Sequence, residues 1–392
     1  MNNSFIFVKF KSLRRNMKTF QNILFFLFVM ALTAGNIFAQ ANNQNPPLPM
    51  DRPKEEDLLK MNQCVEKGHQ YMKEGKYKEA IQEYEQASAL VPQIAFLQYE
   101  IAHAYYQMED YDEAIIRLTT LKQRPESFDQ IFQLLGNAYR HEKNIDQAIA
   151  TYKEGLARFP NSGRLYLELG ITDYTLEKIK TAVDYWETGI AAQPSFERNY
   201  FHLADYYSET TEKVWAALYG EVFINITTND ERLFDAKDLL FKTYKKAFYG
   251  SKDGKIDFTE ISIKTQDKKN RMPFQMAFEE IMTQAAKNIL PKKQEDFNII
   301  TLAKIRKKFI EIWFNEGYNN RFPNSLFDFQ KEVIDEGYFE SYNIMIFSDF
   351  KSDEYKNWAQ ANSKKLPEYY SWIRDNRYKV GMDNYVSKRK YE

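Results

Sequence analysis

The sequence predicts an all-α protein, a solenoid of about five helix pairs followed by a helical C-terminal domain. Three observations carry that prediction. Small residues recur every 34 positions, Ala80, Ala114, Ala148 and Ala182 forming one series and Gly68, Ala102, Gly136 and Gly170 another. Prolines follow the same beat: Pro92, Pro160 and Pro194 close the first, third and fourth units, and Pro125 closes the second one place early. The two poorest helix formers are scarce, 14 Gly and 12 Pro in 392 residues, so long stretches can remain helical.

A recurring period of this length marks stacked supersecondary units. Each unit reads as two antiparallel helices. Where they cross closely only Gly or Ala fits, which keeps positions 8 and 20 small, and large rings fill the space alongside: Tyr77, Tyr84, Tyr111, Tyr152 and Trp186. A proline after the second helix stops it and turns the chain. No unit buries its apolar face alone, so neighbours must stack.

The first unit, residues 61–94, carries Gly68, Tyr71, Gly75, Tyr77, Ala80, Tyr84, Ala87 and Pro92. This pattern resembles the tetratricopeptide repeat (TPR). Further units run 95–128, 129–162 and 163–196. A degenerate fifth, 197–228, keeps Leu203, Ala204, Tyr207 and Ala216 but has Gly220 where an aromatic is usual and lacks a closing proline. The resemblance spans residue 61 to about residue 225, a little under half the chain.

The resemblance implies a right-handed superhelix whose first helices line a concave groove, with unit positions 2, 5, 9, 12 and 13 facing a ligand. Those positions hold Asn62, Val65, His69, Met72 and Lys73, then Phe96, Tyr99, His103, Tyr106 and Gln107. The third unit gives Gln130, Gln133, Asn137, Arg140 and His141, and the fourth Arg164, Leu167, Ile171, Tyr174 and Thr175. The expected partner is a protein or an extended peptide. The residues expected to hold it are His69, Phe96, Tyr99, His103, Tyr106, Asn137, Arg140, Arg164 and Tyr174. The other reading of Phe96 and Tyr99 is that they pack against a segment of this same chain. One TPR subtype grips a C-terminal carboxylate with Lys and Asn at positions 5 and 9 of its first repeat. Val65 and His69 stand there instead, so that clamp is not expected.

His69, His103 and His141 map to one face, but the 8–10 Å or so between packed helices is too wide for zinc, which needs nitrogens at about 2 Å. No metal or other cofactor is therefore expected.

The N-terminus carries Lys9, Lys11, Arg14, Arg15 and Lys18 with no acid, then an apolar run from Ile23 to Leu32 and small residues before Ala39. This reads as a secretory signal peptide over 1–39. The run is short of the roughly 20 residues that span a bilayer. Cleavage would take the formal charge from −1 to −6, which argues against nucleic acid as a partner. The lone cysteine, Cys64, lies beyond the cleavage site, so lipid attachment is not expected and no internal disulfide can form. Residues 40–58 begin as a polar, proline-rich leader. The expected location is the periplasm.

Past residue 230 the beat fades while helical periodicity continues. Residues 229–250 read as a helix capping the solenoid and 255–392 as a helical domain packed on its end. Residues 250–272 are polar, with one short strand expected over Ile256–Ile263. Pro273 and Pro291 bracket a helix. A longer helix carries Leu302, Ile305, Phe309 and Ile312 inward, and Pro323-Asn324-Ser325 opens another that Gly337 closes. The apolar run 338–348 reads as deeply buried, with short helices around Trp358 and Trp372. In texture, though in no motif, this tail is similar to C-terminal segments of exported repeat proteins of the Bacteroidota.

No G-x-S-x-G, P-loop, H-E-x-x-H or C-x-x-C occurs, and no histidine follows His202. Glu279, Glu280 and Asp375 read as solvated acids, so no enzyme is expected. The expected function is an exported adaptor or scaffold. The alternative is a ligand- or glycan-binding protein that works through its C-terminal domain. Trp358, Tyr369, Tyr370 and Trp372 would then form a stacking shelf, and the repeats would serve for docking.

Overall fold

The computed structural model describes residues 53–228, 231–251, 254–261, 272–348 and 353–391, which hold eighteen α-helices and no strand. The predicted signal peptide lies outside these residues, as does most of the predicted leader. The leader's last residues, from Glu55, already belong to the first helix. The chain divides after Lys60, and residues 61–392 form one compact unit.

Ten helices alternate in five pairs: α1 (Glu55–Lys73) with α2 (Tyr77–Leu90), α3 (Ala95–Gln107) with α4 (Tyr111–Leu121), and α5 (Asp129–His141) with α6 (Ile145–Arg158). Next come α7 (Gly163–Thr175) with α8 (Ile179–Ala192), and α9 (Arg198–Ser208) with α10 (Lys213–Ile226). The alanines of the first series are fully buried at Ala80, Ala114, Ala148 and Ala182, and Ala216 continues them into the fifth pair.

The second series sets how closely each pair crosses. A Cβ built on Gly68 would meet the ring of Tyr84 at 2.4 Å, one on Gly136 the ring of Tyr152 at 2.2 Å, and one on Gly170 the Trp186 indole at 2.2 Å. No real Cβ tolerates such distances, so these positions must be glycine. In the second pair Ala102 stands opposite the smaller Leu118 of the same register, and both are buried. In the fifth pair the sizes reverse. Ala204 lies 3.7 Å from a Cβ built on Gly220, and Leu240 of the next helix occupies the remaining space at 3.3 Å. The departure at Gly220 is thus a size exchange across a helix crossing.

The turns inside the pairs share one backbone state. Gly75, Glu109, Lys143 and Glu177, each at position 15, all take φ of 60–72°. Three of the four adopt this left-handed geometry without glycine's freedom, so the helix crossing, and not the local residue, dictates the turn. Asp110 and Asn144 then cap α4 and α6, accepting from Glu113 N and Gln147 N at 3.3 Å each.

The C-terminal helices are α11 (Leu233–Tyr249), α12 (Phe274–Ala286), α13 (Ile299–Asn315), a single turn α14 (Tyr318–Arg321), α15 (Ser325–Asp335), α16 (Phe339–Phe347), α17 (Asp353–Ala361) and α18 (Lys365–Asp375). Pro273 precedes α12, Asn324 caps α15 by accepting from Leu326 N and Phe327 N, and Gly337 ends it at φ 77°. These helices build no core of their own. One apolar cluster runs from Leu167 and Trp186 in the fourth pair through Trp215 and Phe223 to Tyr369 and Val386. The second to fourth pairs hold a separate cluster, and a small third one lies around Ala80, Tyr84 and Ile101.

Two sequence expectations are corrected here. The described part of Ile256–Ile263 is irregular, because no neighbouring strand is there to pair with it. Its backbone bonds elsewhere: Phe258 N and Thr259 N donate to the Glu279 carboxylate at 2.6 and 3.0 Å, and Val214 N donates to Phe258 O at 3.2 Å. Glu279 is consequently no solvated acid. Burial raises its pKa against the pull of those two backbone bonds.

A buried ionic knot ties the fifth pair to the C-terminal helices. The Arg306 guanidinium donates to both carboxylate oxygens of Glu221 and to Asn343. Gln330 Nε2 and Tyr342 OH each donate to Glu221 Oε1 at 2.6 Å, and Asn225 Nδ2 donates to Tyr342 OH at 2.8 Å. Burial alone would lower the arginine's pKa, but the Glu221 charge more than reverses this.

The chain's end then straps back across second helices. Ser387 Oγ donates to Glu187 Oε2 at 2.7 Å, and Tyr219 OH donates to the other oxygen of that carboxylate. Lys388 N donates to Tyr219 OH at 2.6 Å, Arg389 reaches Asp184 and Thr188, and the Tyr391 ring stacks on Phe274 at 4.3 Å. Burial pushes the Glu187 carboxyl above its ordinary 4.5, with the Ser387 and Tyr219 hydrogen bonds pulling the other way. A raised acid pKa means folding favours the protonated form. The stability from this site is complete below the unfolded value and is lost as pH rises through the folded one. Glu187→Gln keeps the shape and carries no charge. It should raise the melting temperature at pH 7 and leave it unchanged near pH 4. Equal shifts at both pH values would show that the carboxyl is not held neutral.

Candidate partner-binding face

From the second pair on, successive first helices touch one another (α3 with α5, α5 with α7, α7 with α9). No two successive second helices bring their backbones as close; they meet through long side chains, as Tyr219 does with Glu187. The first-helix side is therefore the closely packed one, and it carries the residues singled out in the sequence.

These residues fall into three groups. His69 meets Phe96 edge-on at 6.5 Å, Phe96 lies beside Tyr99 at 6.4 Å, and Tyr99 lies beside His103 at 6.1 Å. Tyr99 backs onto Phe128 at 5.2 Å, and burial raises its phenol to about 12. Among the described residues its ring neighbours, Phe96, His103 and Phe128, are all repeat residues of this same chain.

The second group joins the third and fourth pairs. Arg140 lies 3.6 Å from Glu168, which also accepts from Gln133 Nε2 at 2.7 Å. Asn137 Oδ1 accepts from Tyr152 OH at 2.6 Å and from Arg140 at 3.4 Å. Arg164 donates to Asp129 at 3.1 Å and to Gln133 at 3.2 Å. Between the two groups, Tyr106 packs edge-on against His141 at 5.5 Å and Tyr111 at 5.4 Å.

The third group is Tyr174, 44% exposed, against Trp186, on which His202 stacks at 5.2 Å. Leu167 departs from its expected place: it is fully buried in the large core with Ala182, Ile190 and Tyr200.

Sequence reasoning missed the acids between these residues. Glu100 and Glu168 both occupy position 6, directly after a groove position. A search for acids in phase would have found them. The histidines, expected to stand a helix pair apart, are brought together by one of these acids: His69 Nε2 and His103 Nδ1 each lie 3.9 Å from Glu100 Oε2. Among the described residues no group of three or more His, Cys, Asp or Glu is arranged to hold a metal ion.

The proposed aromatic shelf does not form. Trp358 and Tyr369 are buried, the Trp358 Nε1 donates to Glu340 at 2.6 Å, and Trp372 packs between Phe329 and Tyr338. Only Tyr370 of the four is exposed. A recess at the end of α11 is lined by Lys242, Lys245, Lys246, Tyr249, Gly250 and Gln294, with neither tryptophan nor acid.

Residues 68–109 match a family model described as a TPR repeat, and residues 129–172 one described as a tetratricopeptide repeat. The chain carries tetratricopeptide repeats. TPR units of this kind serve as scaffolds for protein–protein interaction. No curated protein matches the sequence.

Among solved structures, a thermophilic TPR protein of Thermus thermophilus is 18% identical over 47% of this chain and 98% of its own, with a TM-score of 0.39. PilF of Pseudomonas aeruginosa is 15% identical over 52% of this chain and 97% of its own, with a TM-score of 0.38. The C-terminal part of a TPR repeat-containing protein from Cytophaga hutchinsonii is 13% identical over 75% of this chain and 98% of its own, with a TM-score of 0.36. No helix among the described residues is long and apolar enough to cross a membrane.

Proposed function

We propose that this protein is an exported adaptor that holds a partner protein or peptide along a concave groove formed by the first helices of its TPR units. The observation that supports this reading is the closer approach of successive first helices from α3 on, the packing expected on the inner side of a curved stack; His69, Phe96, Tyr99, His103, Tyr106, Asn137, Arg140, Arg164 and Tyr174 all lie on first helices. The face mixes apolar rings with paired charges, which suits an extended segment anchored by a few side chains. The C-terminal strap is bonded to the second helices α8 and α10. Export rests on the basic, apolar and small-residue order of residues 1–39.

In-cell crosslinking followed by affinity recovery tests the groove. Tyr106→Glu and Tyr174→Glu should each cut partner recovery about tenfold or more. Ile116→Glu, at a 60% exposed site on the second helix α4, should not. Unchanged recovery with both groove variants would place the binding surface elsewhere. N-terminal sequencing of the mature protein tests export, with a start at Gln40 expected.

A further inference from the structure

Position 6 holds a glutamate in both the second and the fourth repeat, with different fates. Glu168 is satisfied by the chain itself, through the Gln133 amide at 2.7 Å and Arg140 at 3.6 Å. Glu100 is not. Its side chain is only 12% exposed, yet among the described residues it takes no hydrogen bond and has no Lys or Arg within 4.0 Å. Its nearest charged-capable neighbours, His69 and His103, stand at 3.9 Å, beyond hydrogen-bonding reach. Such a carboxylate keeps acceptor sites open to a further donor.

The surroundings say which donor suits it. His69, Phe96, Tyr99 and His103 form a continuous run of rings, and its two histidines flank the carboxylate at 3.9 Å. Beneath His69 lies the Tyr84 ring at 5.8 Å, whose buried hydroxyl also has no partner. Ring faces attract a cation, and a carboxylate among them supplies the counter-charge and directed acceptors. An anionic or purely apolar side chain would leave Glu100 unpaired.

Building on the groove reading above, we infer that the surface around Glu100, between the first and second repeats, receives a basic side chain, arginine or lysine, of the bound protein segment, with Glu100 as its counter-ion. This gives the groove a polarity. The partner presents a cation to the first two repeats and its other polar groups to Arg140 and Arg164 further along.

Selection from an unbiased library of displayed 12-residue peptides tests the inference. Peptides retained by the wild-type protein should share one basic position. Replacing that residue by uncharged citrulline or norleucine should weaken binding about tenfold or more. The same replacement should cost little against Glu100→Gln, because the pair is already broken. The peptide-side change keeps the test valid even if the protein variant folds poorly. Selected peptides that lack a basic position, or an equal loss on both proteins, overturn the inference while leaving the groove in place. If no peptide is retained, the groove reading falls and takes the inference with it.

Discussion

Arg306→Met is expected to lower the unfolding free energy by about 3–5 kcal/mol, the range for breaking one side of a buried ion pair. Both side chains are 2% exposed, so the Glu221 carboxylate would be left in the core with its charge uncompensated. Gln330 and Tyr342 would still donate to Glu221, but neither carries the positive charge it needs. The guanidinium also lies over the Phe347 ring at 5.0 Å, and methionine keeps only the apolar part of that contact. The double change Glu221→Leu with Arg306→Met should cost clearly less than Arg306→Met alone, since two apolar groups leave no orphaned charge. Urea unfolding of the three variants measures this. A double variant as unstable as the single one would mean that the knot contributes shape and not charge balance.

Gly136→Ala is the second large effect, a loss of about 1–3 kcal/mol or more from overpacking. The added methyl would sit 2.2 Å from the Tyr152 ring, and that ring is fully buried and bonded to Asn137. The second repeat shows the remedy, because Ala102 there faces Leu118. Gly136→Ala combined with Tyr152→Leu should therefore be less unstable than the sum of the two single changes. A double-mutant cycle from denaturant unfolding reads the coupling. Strict additivity would refute the size exchange between positions 8 and 24.

The repeat region was legible because its constraints are local and periodic. A glycine at position 8 and a ring at position 24 lie sixteen residues apart in the same unit, and the pattern returns every 34 residues. The proline and glycine stops at Pro273 and Gly337 were readable for the same reason. The Glu221–Arg306 pair spans 85 residues and the Glu187–Ser387 bond 200, and neither recurs. No periodic signal could announce them, and each acid taken alone looks like an ordinary helix residue. Glu279 misled similarly, since its partners are backbone amides in a segment without regular structure. On the first helices the 34-residue register located the rings of α3, Phe96, Tyr99 and Tyr106, which are half-buried. What it could not show was which acids the fold would satisfy internally and which it would leave open.

The division of the apolar interior into three clusters has a mechanical consequence. The cluster around Tyr84 is the smallest, while the last two repeats and everything after them are fused into one mass by the Arg306 knot and the C-terminal strap. Stacked repeats open from their weakest end. The amino-terminal pair is thus the end expected to open first, and its His69 flanks Glu100 of the second pair. A guest seated there would act as a splint, part of its binding free energy going into holding the first repeats shut.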